Sequence, residues 1–269
     1  KNGVKDVIGF DGSTVTETEV LSANVIVLVG TDLMNDHASF GVTVRQAVKR
    51  GAKLVVISNK PQSQEAKEAD IFVNADSTES LKAILKALVE KGCTAEGIDA
   101  LNVSLKDTVV TDDALKVCEM LLDKSNKKSV IVTDQFNTSY ECAKAAADIA
   151  VLSGHIGSPR DGIIQIKTNV NTQSVADFGI TPSCLVKDKF ADGTIKALLT
   201  IGENPVNVDL EKVEFVAVCD TYLTETAQKA DVVIPLVSLI ESNGTVISTD
   251  GKVNSVNAAI KPMAKVNTE

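Results

Sequence analysis

Three short apolar runs in the last third of the chain are followed at once by residues that could contact a ligand. The runs are Ala197–Ile201, Val213–Val218 and Val232–Ile234, and their length and β-branched content predict buried parallel strands. Gly202-Glu203-Asn204-Pro205 follows the first run and Asp220 follows the second. These loops offer backbone amides and carboxylates, which are binding groups. Ligands of open α/β sheets bind at the carboxyl ends of the strands, so we predict a binding site here.

The first part of the chain repeats this arrangement in a βαβ unit. Asn24–Gly30 predicts a buried strand that ends on glycine, a polar loop follows over Thr31–His37, and Ala38–Arg50 predicts a helix. A phosphate could meet the amino-terminal amides of this helix. The next strand, Lys53–Ser58, continues into Asn59-Lys60 and lacks the acidic residue that would hold a ribose, and the unit has no G-x-G-x-x-G motif. The sequence therefore argues against a classical NAD site.

An internal repeat relates the two halves of the chain. A short helical stretch, then Ala69-Asp70 and an apolar run, occurs in the first half, and Ala230-Asp231 stands in the same context in the second. Each copy follows a loop that begins with glycine, at Gly30 and at Gly202. We therefore predict an α/β fold of two related lobes, with mainly parallel sheets flanked by helices. The predicted first lobe covers residues 1–167 and the second covers 168–269.

The segments between these motifs predict further helices, a strand and a loop. Asp76–Lys91, Thr111–Lys124 and Ser139–Ser153 have helical periodicity, and Lys128–Thr133 reads as a buried strand. A glycine-studded loop follows at 154–162, where backbone could approach a ligand. The tail predicts a hairpin with Asn243-Gly244 at its turn.

Composition excludes several classes of function. A net charge of −9 gives no basic surface for a nucleic acid, and no apolar run approaches the roughly 20 residues of a membrane span. The cysteines are widely separated, have no metal-ligand spacing, and are expected to be buried apolar residues: Cys93, Cys118, Cys142, Cys184 and Cys219. We expect a cytoplasmic protein without nucleic-acid partners or direct membrane insertion. Because the chain begins at Lys1, we also expect it to be part of a longer protein.

Four sequence blocks, in order, resemble the molybdopterin oxidoreductases. They are the G-E-N-P turn at 202–205, the acid Asp220 that ends the next strand, T-E-T-A followed by A-D-V-V-I-P over 224–235, and E-S-N-G-T over 241–245. This family includes formate dehydrogenases, nitrate reductases and the large iron–sulfur subunit of NADH dehydrogenase. The resemblance covers nearly the whole chain and implies the central α/β lobes of such an enzyme, as in the formate dehydrogenase and DMSO reductase central domains.

The resemblance implies binding of molybdopterin guanine dinucleotide. One dinucleotide would contact the first lobe, a second would use the Gly202 loop near its phosphates and Asp220 at its guanine, and Gln173 would approach the pterin. The implied cofactor-binding residues are Gly30, Thr31, Asn35, Gln173, Gly202, Glu203, Asn204, Asp220 and Thr224. No catalytic residue or metal ligand is assigned to this chain, because the family's iron–sulfur clusters and molybdenum ligand belong to other segments.

Several positions depart from the family pattern. Ser58 and Lys60 stand where metal-binding members have an acid and an arginine, and Asn35 replaces an acid of the formate dehydrogenases. Ser174 replaces a glycine, and Lys167 falls where formate dehydrogenases have an arginine near the metal. The first dinucleotide site thus departs further from the family pattern than the second.

Two functions from different classes follow from the resemblance. In the first, the chain is part of an oxidoreductase that oxidises a small substrate such as formate by two electrons, and it is inactive alone. Electrons would leave through iron–sulfur clusters in the missing parts to electron-transfer subunits. In the alternative, the lobes are a cofactor-free scaffold, as in an NADH:quinone oxidoreductase-like subunit. The central domain of a thiamine-diphosphate enzyme is a third option, which the T-E-T-A and A-D-V-V-I-P blocks oppose.

Overall fold

A computed structural model describes residues 2–167, 169–180 and 186–262. The chain forms two compact units. Unit 1 comprises the residues up to Asp177 together with Ile247–Lys252, and unit 2 comprises Phe178–Val246 with the residues from Val253 onward. The division thus lies ten residues beyond the predicted one at 167/168, and unit 1 includes a short segment from late in the chain.

Unit 1 is built on a five-stranded parallel sheet with the order β3-β2-β1-β4-β5. The central strands β1 and β4 are buried at every position, as expected when both faces of a parallel sheet are covered, and all of β1 and the middle of β4 are apolar. The strands are β1 Val25–Val29, β2 Lys53–Ile57, β3 Ile71–Val73, β4 Ser129–Asp134 and β5 Gly162–Ile166. The predicted α/β fold is confirmed, but β5 was not predicted, because its five residues directly follow a loop rich in turn residues.

Helices cover both faces of this sheet. The helices of unit 1 are α1 Gly3–Ile8, α2 Glu17–Val20, α3 Leu33–Asp36, α4 Ala38–Lys49, α5 Gln64–Glu68, α6 Ser77–Glu90, α7 Ile98–Ser104, α8 Asp112–Leu122, α9 Tyr140–Leu152 and α10 Thr172–Asp177. Side chains of α6, α8 and α9 form one core with the odd-numbered residues of β1, and α2 and α4 form another with the even-numbered residues. The aspartate Asp76 caps α6 and the hydroxyls of Thr111 and Ser139 cap α8 and α9, so local sequence sets where these helices begin.

Unit 2 contains a smaller parallel sheet with the order β6-β7-β8. Its elements are α11 Val186–Ala191, β6 Ala197–Ile201, β7 Phe215–Asp220, α12 Glu225–Gln228, β8 Val232–Pro235 and a 3-10 turn at Leu239–Glu241. One face packs on α12 through Val216, Val218 and Ala227. The opposite face is open, since Leu199 and Ile201 are 61% and 55% exposed. This sheet is therefore covered on one side only within the described residues.

The tail forms the predicted hairpin, but the predicted turn is wrong. The strands are β9 Gly244–Ile247 and β10 Val253–Val256, so Asn243 and Gly244 lie at the start of the hairpin. The turn occupies 248–252, where Gly251 has a φ of +79° and donates its N–H to the Ser248 carbonyl. Asn-Gly marks a tight turn only when strands pair directly on either side of it.

The internal repeat predicted from sequence is also present in the backbone hydrogen bonds. In unit 1 the Asp70 carboxylate accepts from Leu54 N at 2.8 Å while Asp70 N donates to Leu54 O. Asp231 makes the same reciprocal pair with Val216, also with a 2.8 Å bond to its carboxylate. Strands β6, β7 and β8 therefore correspond to β1, β2 and β3.

Candidate cofactor site

The carboxyl ends of β1 and β4 meet where the chain's path reverses in the unit 1 sheet, the usual ligand position of such folds. Gly30 directly follows β1, has a φ of +64°, and donates its N–H to Ile57 O at 2.9 Å. A Cβ at this position would lie 3.1 Å from Thr138 Cγ2. Glycine is therefore needed both for the backbone conformation and for the space.

The residues after Gly30 are buried and incompletely hydrogen-bonded. Thr31 Oγ1 and Asp32 Oδ1 have no hydrogen-bond partner among the described residues, although both atoms are buried. The amide of Asn35, a residue predicted to contact a dinucleotide, donates to Asp32 Oδ2 at 3.0 Å. Lys60 Nζ lies 4.0 Å from the same oxygen. The first predicted site thus has two unused buried acceptors, while its predicted amide already has a partner.

A second group of residues at this edge was missed by the sequence analysis. Asp134 ends β4, is almost fully buried, and accepts from Phe136 N at 2.8 Å and Asn137 Nδ2 at 2.9 Å. His37 Nε2 lies 3.1 Å from the same carboxylate. Asp134 ends a buried strand just as Asp220 does, so the same criterion applied to β4 would have found it.

The end of β5 leads into a buried polar network. Lys167 Nζ donates to the Asp11 carboxylate and, at 2.9 Å, to Gln165 Oε1. Gln173, predicted to approach the pterin, lies in α10 and donates its amide to Asp11 O and Asp177 Oδ1. Its Oε1 is buried and has no partner among the described residues. The Lys167 ammonium is therefore paired within the chain, and Gln173 has one unused acceptor.

In unit 2, the G-E-N-P turn lies directly at the end of β6. Gly202 has a φ of +65° and donates its N–H to Cys219 O at 2.8 Å, which repeats the geometry of Gly30. A Cβ at Gly202 would contact nothing within 4 Å, so the turn is open on that side. Glu203 is exposed. The turn therefore presents accessible backbone at the carboxyl edge of this sheet.

Asn204 anchors the turn to the next helix. Its Oδ1 accepts from Thr226 Oγ1 at 2.8 Å and from Thr226 N, while its Nδ2 donates to Glu225 Oε2 at 2.6 Å. The backbone N–H of Glu225 and the Asn204 amide hold the pKa of the Glu225 carboxyl below its usual value. Thr224 caps α12 by accepting from Ala227 N at 3.2 Å. The predicted residues Asn204 and Thr224 thus position the loops with bonds inside the chain.

Asp220 ends β7, beside the Gly202 turn in the neighbouring strand. Its Oδ1 accepts from Tyr222 N at 2.9 Å in an Asx turn, and its carbonyl accepts from Leu236 N. Oδ2 makes no hydrogen bond to the described residues, and the side chain is partly exposed. A fixed carboxylate with one free oxygen next to open backbone is suited to a ligand with N–H donors.

The glycine-studded loop at 154–162 has a structural role at the opposite edge of the unit 1 sheet. His155 Nδ1 lies 2.8 Å from Asp161 Oδ1 and its Nε2 lies 2.8 Å from Leu121 O. Asp161 also accepts from the amide of Ser129, the first residue of β4. The loop therefore connects α8 and the amino ends of two strands, away from the carboxyl edge.

The cysteines are buried or partly buried thiols. Cys118, Cys142 and Cys219 are buried and Cys93 is partly so, as expected, while Cys184 lies outside the described residues. Burial raises the pKa of the Cys118 and Cys142 thiols to about 11. These two residues are therefore neutral and unreactive at physiological pH.

Two kinds of feature are absent from the part of the chain that the structure describes. It contains no helix long and apolar enough to cross a membrane. It also contains no group of three or more His, Cys, Asp or Glu side chains placed to hold a metal ion.

Comparison with known proteins agrees with this α/β architecture. The molybdopterin oxidoreductase family model matches residues 10–266, and the chain belongs to that family. It is 24% identical to the F420-dependent formate dehydrogenase 1 subunit alpha of Methanococcus maripaludis, over 96% of this chain and 47% of the relative. It is 22% identical to the NADPH-Fe(3+) oxidoreductase subunit alpha of Geobacter sulfurreducens, over 96% of this chain and 38% of the relative.

Among solved structures, acetylene hydratase from Pelobacter acetylenicus has the same fold. The TM-score is 0.71 with 14% sequence identity, over 99% of this chain and 48% of that one. The chain thus spans less than half the length of the Methanococcus and Geobacter relatives. The family resemblance and the fold class predicted from sequence are confirmed, and the family as a whole implies a molybdopterin cofactor.

Proposed function

We propose that this chain is the cofactor-binding α/β part of a larger molybdopterin oxidoreductase of the formate dehydrogenase type. Its unit 2 would bind the guanine end of a molybdopterin guanine dinucleotide. The observation that supports this most directly is Asp220, whose Oδ1 accepts from Tyr222 N at 2.9 Å while its Oδ2 makes no hydrogen bond to the residues that the structure describes. Gly202 directly follows the adjacent strand β6, and a Cβ added there would meet no described atom within 4 Å.

Each residue of this site has a separate part in binding. The Asp220 carboxylate accepts from the N1 and N2 donors of guanine, and the amide of Glu203, beside the open backbone of Gly202, faces the phosphates. Asn204 and Thr224 hold the two loops in place through their bonds to α12. The bound pterin would supply the metal centre at which a small substrate such as formate loses two electrons.

In unit 1, Gly30 and Thr31 would contact a second dinucleotide. The unpartnered oxygens of Thr31, Asp32 and Gln173 fit a ligand with N–H or O–H groups, because a buried acceptor without a donor is unfavourable. Asn35 would join them only by exchanging its bond to Asp32.

One observation favours the alternative of a cofactor-free scaffold for unit 1. Ser58 directly follows β2, at the position where an acid would contact a guanine. It is buried, and its Oγ accepts from Lys60 N at 3.3 Å. Asn35 is likewise bonded within the chain. If unit 1 is a scaffold, only unit 2 keeps a nucleotide site.

We further propose partners and surroundings for the whole protein. The Methanococcus and Geobacter relatives are both named as subunit alpha, which supports electron-transfer subunits as partners in addition to other domains of the same chain. Iron–sulfur clusters would belong to those other parts, and the complex would be cytoplasmic. The open face of the unit 2 sheet supports completion of that lobe by a segment outside these 269 residues.

The test is calorimetric titration of the chain with GMP and GDP. We expect saturable binding that Asp220→Ala or Asp220→Asn weakens roughly 10- to 100-fold, since a good bidentate contact to guanine contributes about 1–3 kcal/mol. Asp209→Ala is the matched control, because Asp209 accepts from Glu211 N at 2.9 Å in the same kind of turn but does not end a strand. Absence of binding at millimolar nucleotide, or equal loss in both variants, would contradict the unit 2 site.

A further inference from the structure

An aromatic side chain lies in solvent next to the proposed guanine contact. Tyr222 follows Asp220 by two residues and is 77% exposed. Leu223, the next residue, is 68% exposed. Covering the large apolar ring of a tyrosine lowers the free energy. Tyr222 and Leu223 therefore form an exposed apolar surface just after the end of a strand.

Hydrogen bonds hold the turn that contains Tyr222 at both ends. Tyr222 N donates to Asp220 Oδ1 at 2.9 Å and Tyr222 O accepts from Thr224 N at 3.0 Å. Thr221 Oγ1 donates to Val237 O at 3.2 Å, which joins the turn to the segment after β8. The exposure of the ring is therefore set by the backbone of an ordered turn.

The hydrogen bond between Tyr222 and Asp220 links the orientation of the two residues. The carboxylate oxygen that accepts from Tyr222 N leaves the other oxygen for a ligand. A base whose edge meets Asp220 has flat faces that need apolar cover. Aromatic rings provide that cover for any base, because every base has a π-face.

We propose that Tyr222 stacks on the purine that Asp220 recognises, with Leu223 beside it. This proposal rests on the proposed function of unit 2 and deepens it. Asp220 selects guanine through its N–H donors, while Tyr222 supplies affinity that does not depend on which purine is bound. Adenine, which lacks the N1 and N2 donors, would keep the stacking contact and lose the carboxylate contact.

The chain provides a direct optical test, because it has no tryptophan and only two tyrosines, Tyr140 and Tyr222. Tyr140 lies in α9 of unit 1, where its hydroxyl donates to Asp6. In a Tyr140→Phe variant all tyrosine emission comes from Tyr222. We expect GMP to quench this emission saturably and ribose 5-phosphate, which has no base, to leave it unchanged. AMP should quench it only at higher concentration.

Binding measured by calorimetry completes the test. Tyr222→Ala should weaken GMP binding roughly 5- to 150-fold, the range for loss of one aromatic stacking partner. Tyr222→Phe keeps the ring and should bind within about twofold of the parent. If GMP binds and Asp220→Ala abolishes binding, but Tyr222→Ala has no effect and Tyr222 emission is not quenched, stacking is refuted and the guanine site stands. If GMP does not bind at all, both proposals fail.

Discussion

The two histidines of the chain are expected to contribute very differently to the stability of unit 1. His155 and His37 each lie close to a buried aspartate, but their surroundings differ. The side chain of His155 is 8% exposed and lies within 3.2 Å of Leu121 O and Ser129 Oγ as well as Asp161. That of His37 is 23% exposed, with Asp134 as its hydrogen-bond partner. We predict that His155→Ala is far more destabilising than His37→Ala.

The expected magnitude follows from the groups left behind. Without His155, the Leu121 carbonyl and the Ser129 hydroxyl lose a buried partner and a cavity remains, so we expect a loss of about 3–5 kcal/mol. The Asp161 carboxylate also loses a short hydrogen bond, although it keeps the bond from Ser129 N. Asp134 still has bonds from Phe136 and Asn137 in the absence of His37, so that loss should be about 1 kcal/mol. For a domain of this size, the first change lowers the Tm by roughly 6–20 °C.

The assay is thermal and urea unfolding of both variants, with unit 1 followed separately from unit 2. In a Tyr222→Phe background the remaining tyrosine, Tyr140, belongs to unit 1 and reports on that unit alone. Nearly equal midpoints for the two histidine variants, or a His155→Ala loss below about 1 kcal/mol, would refute the assignment of His155 as a structural tie.

Three further predictions concern backbone and charge. Gly202→Ala should destabilise by about 1–2 kcal/mol through its positive φ alone, and Gly30→Ala by more because its Cβ also meets a neighbouring side chain, as urea midpoints would show. Asp231→Ala removes the acceptor of a strand amide and should lower the free energy of unfolding by about 1–3 kcal/mol. Burial and the nearby Asp250 raise the pKa of Glu17 above 4.5, so the folded state favours the protonated carboxyl. The contribution of this group to the free energy of unfolding is therefore present in acid and is lost as the pH rises above 4.5. Glu17→Gln should therefore be the more stable protein at pH 7, with the difference shrinking towards pH 4.

Each of these has a result that would contradict it. Equal destabilisation at both glycines would mean that the steric contact at Gly30 relaxes freely. An unchanged midpoint in Asp231→Ala would show that water replaces the carboxylate at that amide. If Glu17→Gln raises the free energy of unfolding by the same amount at every pH, the gain does not come from the ionisation of Glu17.

Much of the fold follows from the sequence because apolar runs and turn residues indicate the same strand bounds. The bounds of β1, β4 and β6 were predicted to within about one residue, since each contains a short, mainly apolar run next to polar residues. The Ala-Asp repeat predicted two related halves, and the matching bonds of Asp70 and Asp231 give that repeat a physical basis.

The rest depended on contacts that local patterns do not contain. β5 has five residues and no polar alternation, so only its pairing with β4 identifies it as a strand. In the candidate site, residue type indicated Asp220, but not that Asn35 would bond to Asp32 or that Asn204 would hold α12. Side chains that bond to one another over short sequence distances are equally compatible with binding a ligand, and only their geometry distinguishes the two.

The open face of the unit 2 sheet has a practical consequence. Leu199, Ile201 and Phe215 are each about half exposed or more in the folded chain. Dyes that fluoresce in apolar surroundings should therefore bind the native protein. In a dye-based melting experiment, the fluorescence would already be high before the protein unfolds. Unfolding of this protein is better followed by circular dichroism or tyrosine emission, and low protein concentration should limit self-association through that face.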